Sequence, residues 1–358
     1  MHTASPNWAE HLSRPVRRLL DHPLVEGVVR RAAVEASLRS LHPMLSLGEV
    51  RARVLQVVQE TDDCRSFVLR PNAHWRGAQA GQFVRLRLEI DGRRVQRAYS
   101  LSRIGRHTLR ITVKRQPGGR VSNHLYEQLQ AGQVITLSQA EGDFVLPALL
   151  PPRLLLLSAG SGITPVRALL QALRGRHYGG DLRVVHVSHD EADFIFRNEL
   201  LDPALHHHAS RRQGRFTAET LQALLPDWAQ RPTWACGPAA WLEALQAARP
   251  ATPAPWNTER FAATPLRPLQ PLGAAVEVHF TQSRRRFAST GHTALLEQAE
   301  AAGLAPRHGC RIGICRACQC IKRSGTVQNL QTGELCSEPD QAIRLCVSAA
   351  RSELQIEA

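Results

Sequence analysis

The chain has 358 residues, of which 43% are hydrophobic, and this length predicts two to three domains with ordinary cores. It contains no apolar run long enough to span a membrane and begins without a basic-then-apolar signal pattern, so we expect a cytoplasmic protein. The net charge of +14 comes almost entirely from arginine, but aromatic residues make up only 5% and no recognition-helix pattern occurs, which argues against nucleic-acid binding. A solvated basic surface is the favoured interpretation, and attraction to an acidic partner or to anionic lipid stays open.

Residues 1–46 are rich in arginine and carry a rough helical stripe of apolar side chains. The stripe consists of Leu19, Leu20, Val25, Val28, Val29, Val34 and Leu38. We predict a helical N-terminal extension. Because the stripe is not clean, we favour packing on the body of the protein over docking to a partner or to a membrane surface.

Residues 47–150 alternate between apolar and polar side chains with a period of two, which predicts β-strands. Gly, Pro, Asn and Asp separate the predicted strands, which cover 50–59, 65–71, 82–90, 97–103, 108–116 and 133–139. Short strands with this alternation predict a small antiparallel β-barrel.

The strand over 97–103 carries the tetrapeptide R-x-Y-S at Arg97, Tyr99 and Ser100. An arginine can neutralise a flavin phosphate, a tyrosine ring can cover one face of a flavin, and a serine hydroxyl can reach ring N5. Arg97 and Tyr99 project together because alternate strand residues share a face. Alone, this tetrapeptide is a weak signal.

A glycine-rich turn follows the barrel strand over 108–116, in the segment GGRVSNHL from Gly118 to Leu125. We predict a helix here with Ser122 as its N-cap, and the free N–H groups at such an end suit a pyrophosphate. Lys114 and Arg115 add positive charge nearby. The turn therefore strengthens the case for a flavin site.

Residues 151–263 alternate between strand-like and helix-like segments, which predicts an α/β domain with a parallel sheet. An apolar run leads into the turn Gly160-Ser161-Gly162-Ile163-Thr164-Pro165. Glycines there permit a close approach of pyrophosphate to a helix N-terminus, although a turn of any α/β protein is an equal alternative. We also predict a helix over 194–202 and, at the three histidines 206–208, a solvated loop rather than a metal site.

A proline-rich stretch from residue 251 reads as a semi-rigid connection, and we place the linker itself at 264–274. Residues 275–358 then form the last predicted domain. It begins with a hairpin from VEVHF and RRFAST, followed by a helix in TALLEQAEAAG.

Four cysteines in this last domain carry the most specific signal in the chain. Cys310, Cys315 and Cys318 have the spacing C-x4-C-x2-C, and Cys346 follows after a long gap, as in plant-type 2Fe–2S ferredoxins. Disulfides are less favoured because the cysteines crowd into one segment, and zinc because only one short pair is present. Cys320 lies close enough in sequence to compete as a ligand, and the roles of Cys320 and Cys336 stay open.

These motifs, taken in order, resemble the ferredoxin–NADP reductase superfamily with a C-terminal plant-type ferredoxin domain. R-x-Y-S and G-G-x-x-S are the flavin motifs of that superfamily, and the resemblance covers about residues 50–358. It implies a multidomain protein with an antiparallel β-barrel flavin domain and an α/β parallel-sheet nucleotide domain. The third part would be an α+β ferredoxin domain of the β-grasp fold.

The resemblance implies roles for the flavin residues. Arg97 would bind the flavin phosphate, Tyr99 would stack on the ring and Ser100 would contact N5. The residues expected around the pyrophosphate are Lys114, Gly118, Gly119, Val121 and Ser122. FAD is the usual flavin with this second motif, and FMN is the alternative.

The resemblance also implies a nicotinamide site. G-x-G-x-T-P is the nucleotide motif of the superfamily, so Gly160, Gly162 and Thr164 would bind NAD(P)H. Cys236, Gly237 and Pro238 match its C-G-P motif, and Cys236 would act in catalysis with Tyr99 and Ser100. In the segment TERF, Glu259 and Phe261 resemble an E-x-F element near the flavin of relatives with a C-terminal ferredoxin domain.

The choice between NADPH and NADH depends on a pocket for the 2′-phosphate. Ser188, Arg197 and Arg215 could accept a phosphate, whereas Asp190 could hold a ribose diol and favour NADH. Relatives with this architecture are more often NADPH enzymes, so we favour NADPH.

The expected activity is NAD(P)H-dependent electron transfer through the flavin and the 2Fe–2S cluster to an acceptor protein. The N-terminal extension, R-A-Y-S-L-S and CRIGIC resemble bacterial reductases that feed membrane fatty-acid or acyl-CoA desaturases, which suggests peripheral contact with the inner face of the membrane. The alternatives are a reductase component of an aromatic-ring or alkane oxygenase or of a cytochrome system, and a redox-sensing regulatory flavoprotein.

Overall fold

The computed structural model describes residues 31–90, 93–105, 107–200, 202, 204–261, 272, 274–308, 313 and 317–358. The chain divides into two compact units, Met1–Phe261 and Ala262–Ala358, and each is described by itself. Among the described residues, no helix is both long and apolar enough to cross a membrane.

A short helix precedes the barrel. Helix α1 (Arg31–Leu41) buries Leu38, and the carboxylate of Glu35 accepts a hydrogen bond of 2.9 Å from the backbone N–H of Leu47. Arg39 pairs with Glu49 at 2.8 Å. These contacts tie the helix to the chain that enters the first strand. The rest of the predicted N-terminal extension, residues 1–30, lies outside the described residues.

The first part of unit one is a closed antiparallel barrel with the strand order β1-β2-β5-β4-β3-β6. Alternate side chains fill its interior, and Phe67, Leu86 and Ile111 are fully buried there. The predicted barrel and its six strands are confirmed. The strands are β1 (Val50–Thr61), β2 (Cys64–Pro71), β3 (Phe83–Ile90), β4 (Arg93–Gly105), β5 (Thr108–Lys114) and β6 (Val134–Leu137), and helix α2 (Arg120–Gln128) follows β5.

The second part of unit one is a parallel sheet with the order β11-β10-β7-β8-β9. Residues 154–157 of β7 are all fully buried, as expected of a strand covered on both faces. The predicted α/β domain is confirmed. Its strands are β7 (Arg153–Ala159), β8 (Asp181–Ser188), β9 (Leu205–Ala209), β10 (Thr233–Cys236) and β11 (Trp256–Glu259), and its helices are α3 (Ile163–Gly175), α4 (Ser210–Gln213), α5 (Ala218–Leu224) and α6 (Ala239–Ala248).

The strand order of this sheet locates its binding edge. From β7 the chain adds β8 and β9 on one side and then crosses to place β10 and β11 on the other. The order therefore reverses between β7 and β10, and ligands of open α/β sheets bind outside the carboxyl ends of the strands at such a point.

Three predictions for this region are wrong. The segment 194–202 forms turns rather than a helix, because Phe194, Ile195 and Phe196 are buried in succession and Phe196 has a φ of +67°. The histidines 206–208 lie on β9 rather than in a loop, since β9 pairs in parallel with β8. The proline-rich stretch contains β11, which gains its backbone hydrogen bonds from β10.

Unit two is built around a mixed five-stranded sheet with the order β13-β12-β19-β14-β17 and a small sheet β16-β15-β18. Its core includes Val278, Leu295 and Ile356, and the predicted hairpin and helix are confirmed. The elements are β12 (Val276–Phe280), β13 (Arg285–Ser289), α7 (Leu295–Ala301), β14 (Gln319–Ser324), β15 (Val327–Asn329), β16 (Leu335–Cys336), β17 (Gln341–Arg344), β18 (Ser348–Ala350) and β19 (Leu354–Glu357).

Candidate functional site

The R-x-Y-S residues lie in the middle of β4, which pairs with β3 along its length. Tyr99 packs partly against the barrel core, and burial raises the pKa of its phenol, which therefore stays neutral. Arg97 is half-buried, and its guanidinium donates a hydrogen bond of 2.8 Å to the backbone oxygen of Gln96. This bond uses one of five N–H donors, so Arg97 could also bind a phosphate.

The turn into α2 provides a second possible contact for a flavin. Gly118 has a φ of +68°, and Gly119 is the N-cap of α2. The prediction of Ser122 as the N-cap is therefore wrong. Ser122 instead stabilises the turn from inside, because its Oγ accepts from the N–H of Gln116 and donates to the oxygen of Gly119, both at 3.2 Å. No side chain caps the helix, so its first N–H groups could bind a diphosphate.

The predicted positive charge beside this turn is already balanced. Lys114 Nζ lies 2.8 Å from a carboxylate oxygen of Asp63. Arg115 lies 2.9 Å from Glu127. Val121 is buried in the barrel core, so only its backbone could reach a cofactor.

The second glycine turn joins β7 to α3 at the reversal of the sheet. Gly160 has a φ of +54°, and Gly162 is the N-cap of α3 without a side-chain cap. A Cβ on Gly162 would lie 2.5 Å from the carbonyl carbon of Cys236, so the ends of β7 and β10 meet only because Gly162 lacks a side chain. Thr164 is buried, and its hydroxyl donates to the oxygen of Ser161 at 2.9 Å.

The end of β10 completes this edge. Cys236 is fully buried, and burial followed by the nearby charge of Glu259 raises the pKa of its thiol, which keeps it neutral. Gly237 packs so closely that a Cβ there would lie 2.9 Å from the Trp241 ring. Pro238 is the N-cap of α6.

One acidic side chain, that of Glu259, connects the carboxyl end of the sheet to β4 of the barrel. Glu259 pairs in register with Cys236 across β10 and β11, and its Oε2 accepts a hydrogen bond of 3.5 Å from Ser100 Oγ. Burial raises the pKa of Glu259 to about 8, and the hydrogen bond from Ser100 limits the rise. The Ser100 hydroxyl on the barrel and the Glu259 carboxyl and Cys236 thiol on the sheet are thus brought together.

In unit two, two of the four predicted cluster ligands are described. Cys318 and Cys346 are each 4% exposed, and their Sγ atoms lie 3.2 Å apart. This separation exceeds the ~2.05 Å of a disulfide, and two thiolates at this distance could bind one metal ion. Cys310 and Cys315 lie outside the described residues.

Two family models match the chain. Residues 51–146 match an oxidoreductase FAD-binding domain, and residues 278–351 match a 2Fe-2S iron-sulfur cluster binding domain. An NADPH oxidoreductase from Mycobacterium tuberculosis is 33% identical over 365 residues, which cover 97% of this chain and 92% of that protein. The chain belongs to the ferredoxin–NADP reductase superfamily. FAD and a 2Fe–2S cluster are its cofactors, and it is an NAD(P)H oxidoreductase.

Two further proteins are similar to this chain over most of its length. The glycine betaine monooxygenase reductase subunit of Chromohalobacter salexigens is 29% identical over 354 residues, covering 87% of this chain and 95% of that protein. The solved structure of phthalate dioxygenase reductase is similar with a TM-score of 0.61 and 22% identity, covering 87% of this chain and 98% of that one. The second likeness concerns the fold.

The reductase also has a charged region beyond the end of β8 that the sequence revealed only in part. Asp190 lies 2.6 Å from Arg211, whereas Arg197 and Arg212 each lie 3.2 Å from Glu191. Arg211 and Arg212 follow β9. Because β9 is parallel to β8, the carboxyl ends of both strands lie at the same edge of the sheet. The sequence pattern predicted a loop instead of β9 and therefore did not place these two arginines at that edge.

Two other residues were predicted as candidates for the 2′-phosphate. The hydroxyl of Ser188 donates to the backbone oxygen of Asp190 at 2.5 Å and lies 2.7 Å from His207 Nε2. Arg215 is exposed.

Phe261, which was predicted to lie near the flavin, stands two residues after Glu259 at the end of the described part of unit one, and its side chain is exposed.

One contact joins Gly313, from the segment between two of the predicted ligand cysteines, to the end of β17, two residues before Cys346. Arg344 Nη1 donates to the backbone oxygen of Gly313, which has a φ of +77°. A Cβ on Gly313 would lie 2.9 Å from both Gln331 Oε1 and Val347 Cγ1. Cys320 packs against the domain core, and burial raises the pKa of its thiol to about 12, which disfavours the thiolate that a metal needs.

Proposed function

We propose that this reductase takes reducing equivalents from NADPH and passes single electrons through its cluster to a terminal oxygenase component or a cytochrome of an oxygenase system. The observation that carries the proposal is the alignment of nearly the whole chain with a monooxygenase reductase subunit. FAD, when bound, accepts a hydride from a reduced nicotinamide and releases electrons one at a time.

The proposed roles of the flavin residues follow from their geometry. Arg97 binds the flavin phosphate, the turn at Gly118 and Gly119 binds the pyrophosphate, and the Tyr99 ring covers one face of the flavin. The half-buried position of Arg97 and the uncapped end of α2 support this assignment.

Ser100 and Glu259 hold a proton beside the reacting edge. With a pKa of about 8, Glu259 is largely protonated at pH 7 and can itself donate to Ser100 Oγ. In that state Ser100 accepts from Glu259 instead of donating to it, so its own O–H can donate to the flavin. Cys236 and Phe261 would complete this contact on the nucleotide side.

The nucleotide is held by the turn at Gly160 and Gly162, with Thr164 near the nicotinamide. Arg197, Arg211 and Arg212 favour NADPH, because guanidinium groups bind the 2′-phosphate of NADPH better than they bind the ribose diol of NADH. The name of the Mycobacterium tuberculosis relative supports the same choice. Asp190 could hold the ribose diol of NADH only if its ion pair with Arg211 were broken.

Cys310, Cys315, Cys318 and Cys346 are the proposed cluster ligands. An anaerobic titration with NADPH and with NADH, followed by visible spectroscopy and by EPR of the cluster, tests the donor and both cofactors together. Bleaching of the flavin and a rhombic EPR signal are expected. Protein that never bleaches with either coenzyme contradicts the proposal.

The acceptor needs a separate experiment. Purified oxygenase and membranes containing a desaturase, each encoded beside this reductase or in the same genome, are mixed with prereduced protein in a stopped-flow instrument. Faster oxidation by the oxygenase supports the proposal, and faster oxidation by desaturase membranes supports the membrane acceptor and its peripheral contact. Slow turnover with every acceptor, including cytochrome c, indicates a redox sensor.

A further inference from the structure

Two buried arginines meet one carboxylate between the barrel and the nucleotide sheet. Arg110 on β5 and Arg167 on α3 are each 5% exposed, and both contact Glu199. Arg110 Nη1 lies 2.7 Å and 3.0 Å from the two carboxylate oxygens of Glu199, and its Nη2 contacts Glu60 at the end of β1. We call Glu60, Arg110, Arg167 and Glu199 the arginine clamp.

An aromatic ring fixes the two guanidinium groups. Arg110 and Arg167 lie over the ring of Phe196, with their central carbons 4.6 Å and 4.8 Å from its centroid. Phe196 is 2% exposed and has a φ of +67°, which a bulky residue adopts only when its surroundings impose it. The two guanidinium groups cover the ring of Phe196, which also belongs to the hydrophobic core of the nucleotide half.

The members of the clamp come from both halves of unit one. Glu60 and Arg110 belong to the barrel, whereas Arg167 and Glu199 belong to the nucleotide half. Arg167 lies five residues after Gly162, the N-cap of its helix, and Glu199 lies two residues after Arg197. The clamp therefore connects the barrel to both segments that would bind the nucleotide.

The clamp contains two guanidinium groups and two carboxylates, and Glu199 supplies one of the two negative charges. Although burial opposes it, hydrogen bonds from Arg110 and Arg167 lower the pKa of Glu199, so its carboxylate is ionised at neutral pH. The Glu199 side chain itself is 39% exposed, whereas both arginines are buried. Removing its carboxylate leaves two buried guanidinium groups with Glu60 as their remaining carboxylate in the clamp, which is unfavourable because buried charges need partners.

We propose that Glu199 is a positioning residue for hydride transfer: by holding α3 and the 190–200 segment against the barrel, it sets the distance between nicotinamide and flavin. The contacts of Glu199 are with Arg110 and Arg167, and it is not among the residues proposed to bind the flavin or the coenzyme. The reaction needs the donor and acceptor atoms about 3–3.5 Å apart, and a displacement of about 1 Å can cost about a hundredfold in rate. The inference concerns the entry of electrons and is independent of the acceptor.

The test compares Glu199→Gln with the unaltered full-length protein carrying both cofactors. Flavin reduction is followed by stopped flow with saturating NADPH, or NADH if that is the faster donor, and the long-wavelength charge-transfer absorbance reports ring contact. We expect the limiting rate to fall roughly ten- to a hundredfold and the charge-transfer band to weaken. Affinity for the adenosine half of the same coenzyme, measured by calorimetry, should fall by a smaller factor than the limiting rate, because Arg211 and Arg212, two of its proposed contacts, pair with Asp190 and Glu191 and not with the clamp.

Asp202→Asn is the matched control. Asp202, two residues beyond the 190–200 segment, lies 2.7 Å from Arg174 on the same helix as Arg167, and the contacts of this pair do not include the clamp. Its rate and charge-transfer band should equal those of the unaltered protein. Equal losses in both variants would show that general loosening, not positioning, is the cause, and would overturn the proposal.

A variant that fails to fold does not end the test. FAD content and thermal unfolding are measured first, and Glu199→Asp and Arg167→Lys, which keep each charge but shorten or simplify the contact, replace any variant that loses flavin. A folded, flavin-loaded clamp variant with an unchanged rate and band contradicts the proposal. A reduced rate with retained adenosine binding supports it.

Discussion

Ser100 on β4 of the barrel donates a hydrogen bond of 3.5 Å to Glu259 on β11, the edge strand of the nucleotide sheet. The register of β10 and β11 places Glu259 opposite Cys236, so one carboxyl group faces both halves of unit one. Because burial raises the pKa of Glu259 to about 8, its proton can be lost near physiological pH. The consequences for rate and for stability can be measured separately.

The first prediction concerns the rate of flavin reduction by the reduced coenzyme. If the protonated form of Glu259 frees the Ser100 hydroxyl to face the flavin, the limiting rate should fall as the pH rises through about 8. Glu259→Gln cannot ionise but can still donate to Ser100, so its rate should be nearly flat from about pH 6 to pH 9. Stopped-flow measurements give both profiles. An identical slope in the two proteins would rule out Glu259 as its origin.

The second prediction concerns stability. The pKa of Glu259 is raised in the folded state, so the folded state binds more protons than the unfolded state between about pH 4.5 and pH 8. The favourable contribution is complete below pH 4.5 and is lost as the pH rises to about 8. Unfolding by urea should therefore show Glu259→Gln gaining stability relative to the unaltered protein over this range. A constant difference between the two would contradict the raised pKa.

The third prediction concerns the nucleotide turn. In Gly162→Ala the new methyl group would overlap the carbonyl group of Cys236, with 2.5 Å to its carbon, so β7 and β10 must separate. We expect a loss of about 1–3 kcal/mol in stability and a higher KM for the coenzyme. Gly175→Ala at the other end of α3 is the control, because nothing lies within 4 Å of its Cβ. It should be as active as the unaltered protein and about 0.4–1 kcal/mol more stable.

Local patterns were enough to predict the barrel strands and the parallel sheet. Alternation marks β1 and β3 because one face is buried, and the continuous apolar run of β7 marks a strand covered on both faces. Cysteine spacing predicted the ferredoxin domain from another local pattern, because three of the four cluster ligands lie close together in the sequence. The family comparisons confirm the cofactors.

Long-range contacts explain what the sequence could not show. The carboxyl of Glu259 acquires its raised pKa only when β11 pairs with β10, and no local signal marks that strand among the prolines. The predicted helix over 194–202 does not form, because residues 194–196 are buried in succession and Phe196 has a φ of +67°. Two arginines from distant elements pack on the Phe196 ring, a contact that no local pattern marks. The N-cap of α2 moved to Gly119 because Ser122 satisfies the turn rather than the helix end.

The fourth prediction concerns coenzyme choice. Replacing Arg211 and Arg212 together by Ala removes two guanidinium groups from the end of β8 and β9, and we expect the KM for NADPH to rise at least about tenfold while that for NADH changes little. Arg183→Ala is the control, because Arg183 pairs with Asp181 near the start of β8, away from its carboxyl end. Equal changes for both coenzymes would mean that these arginines do not bind the 2′-phosphate.

The last prediction concerns the reduction potential of the cluster. Arg344 donates to the oxygen of Gly313, which lies between Cys310 and Cys315, and Arg344 itself stands two residues before Cys346. Its positive charge favours the reduced, more negative cluster, and its hydrogen bond holds the loop. Arg344→Met should therefore lower the midpoint potential by on the order of tens of millivolts and speed cluster loss in air.

A redox titration followed by EPR measures the potential, and the decay of visible absorbance measures cluster loss. Arg323→Met is the matched control, since Arg323 is an exposed arginine of the same unit that pairs with Asp340 and Glu357. Its potential should equal that of the unaltered protein. Arg344→Lys keeps the charge but shortens the reach, so it should restore the potential more fully than the stability of the cluster. If both Arg344 variants match the unaltered protein in both measurements, the contact with Gly313 has no influence on the cluster.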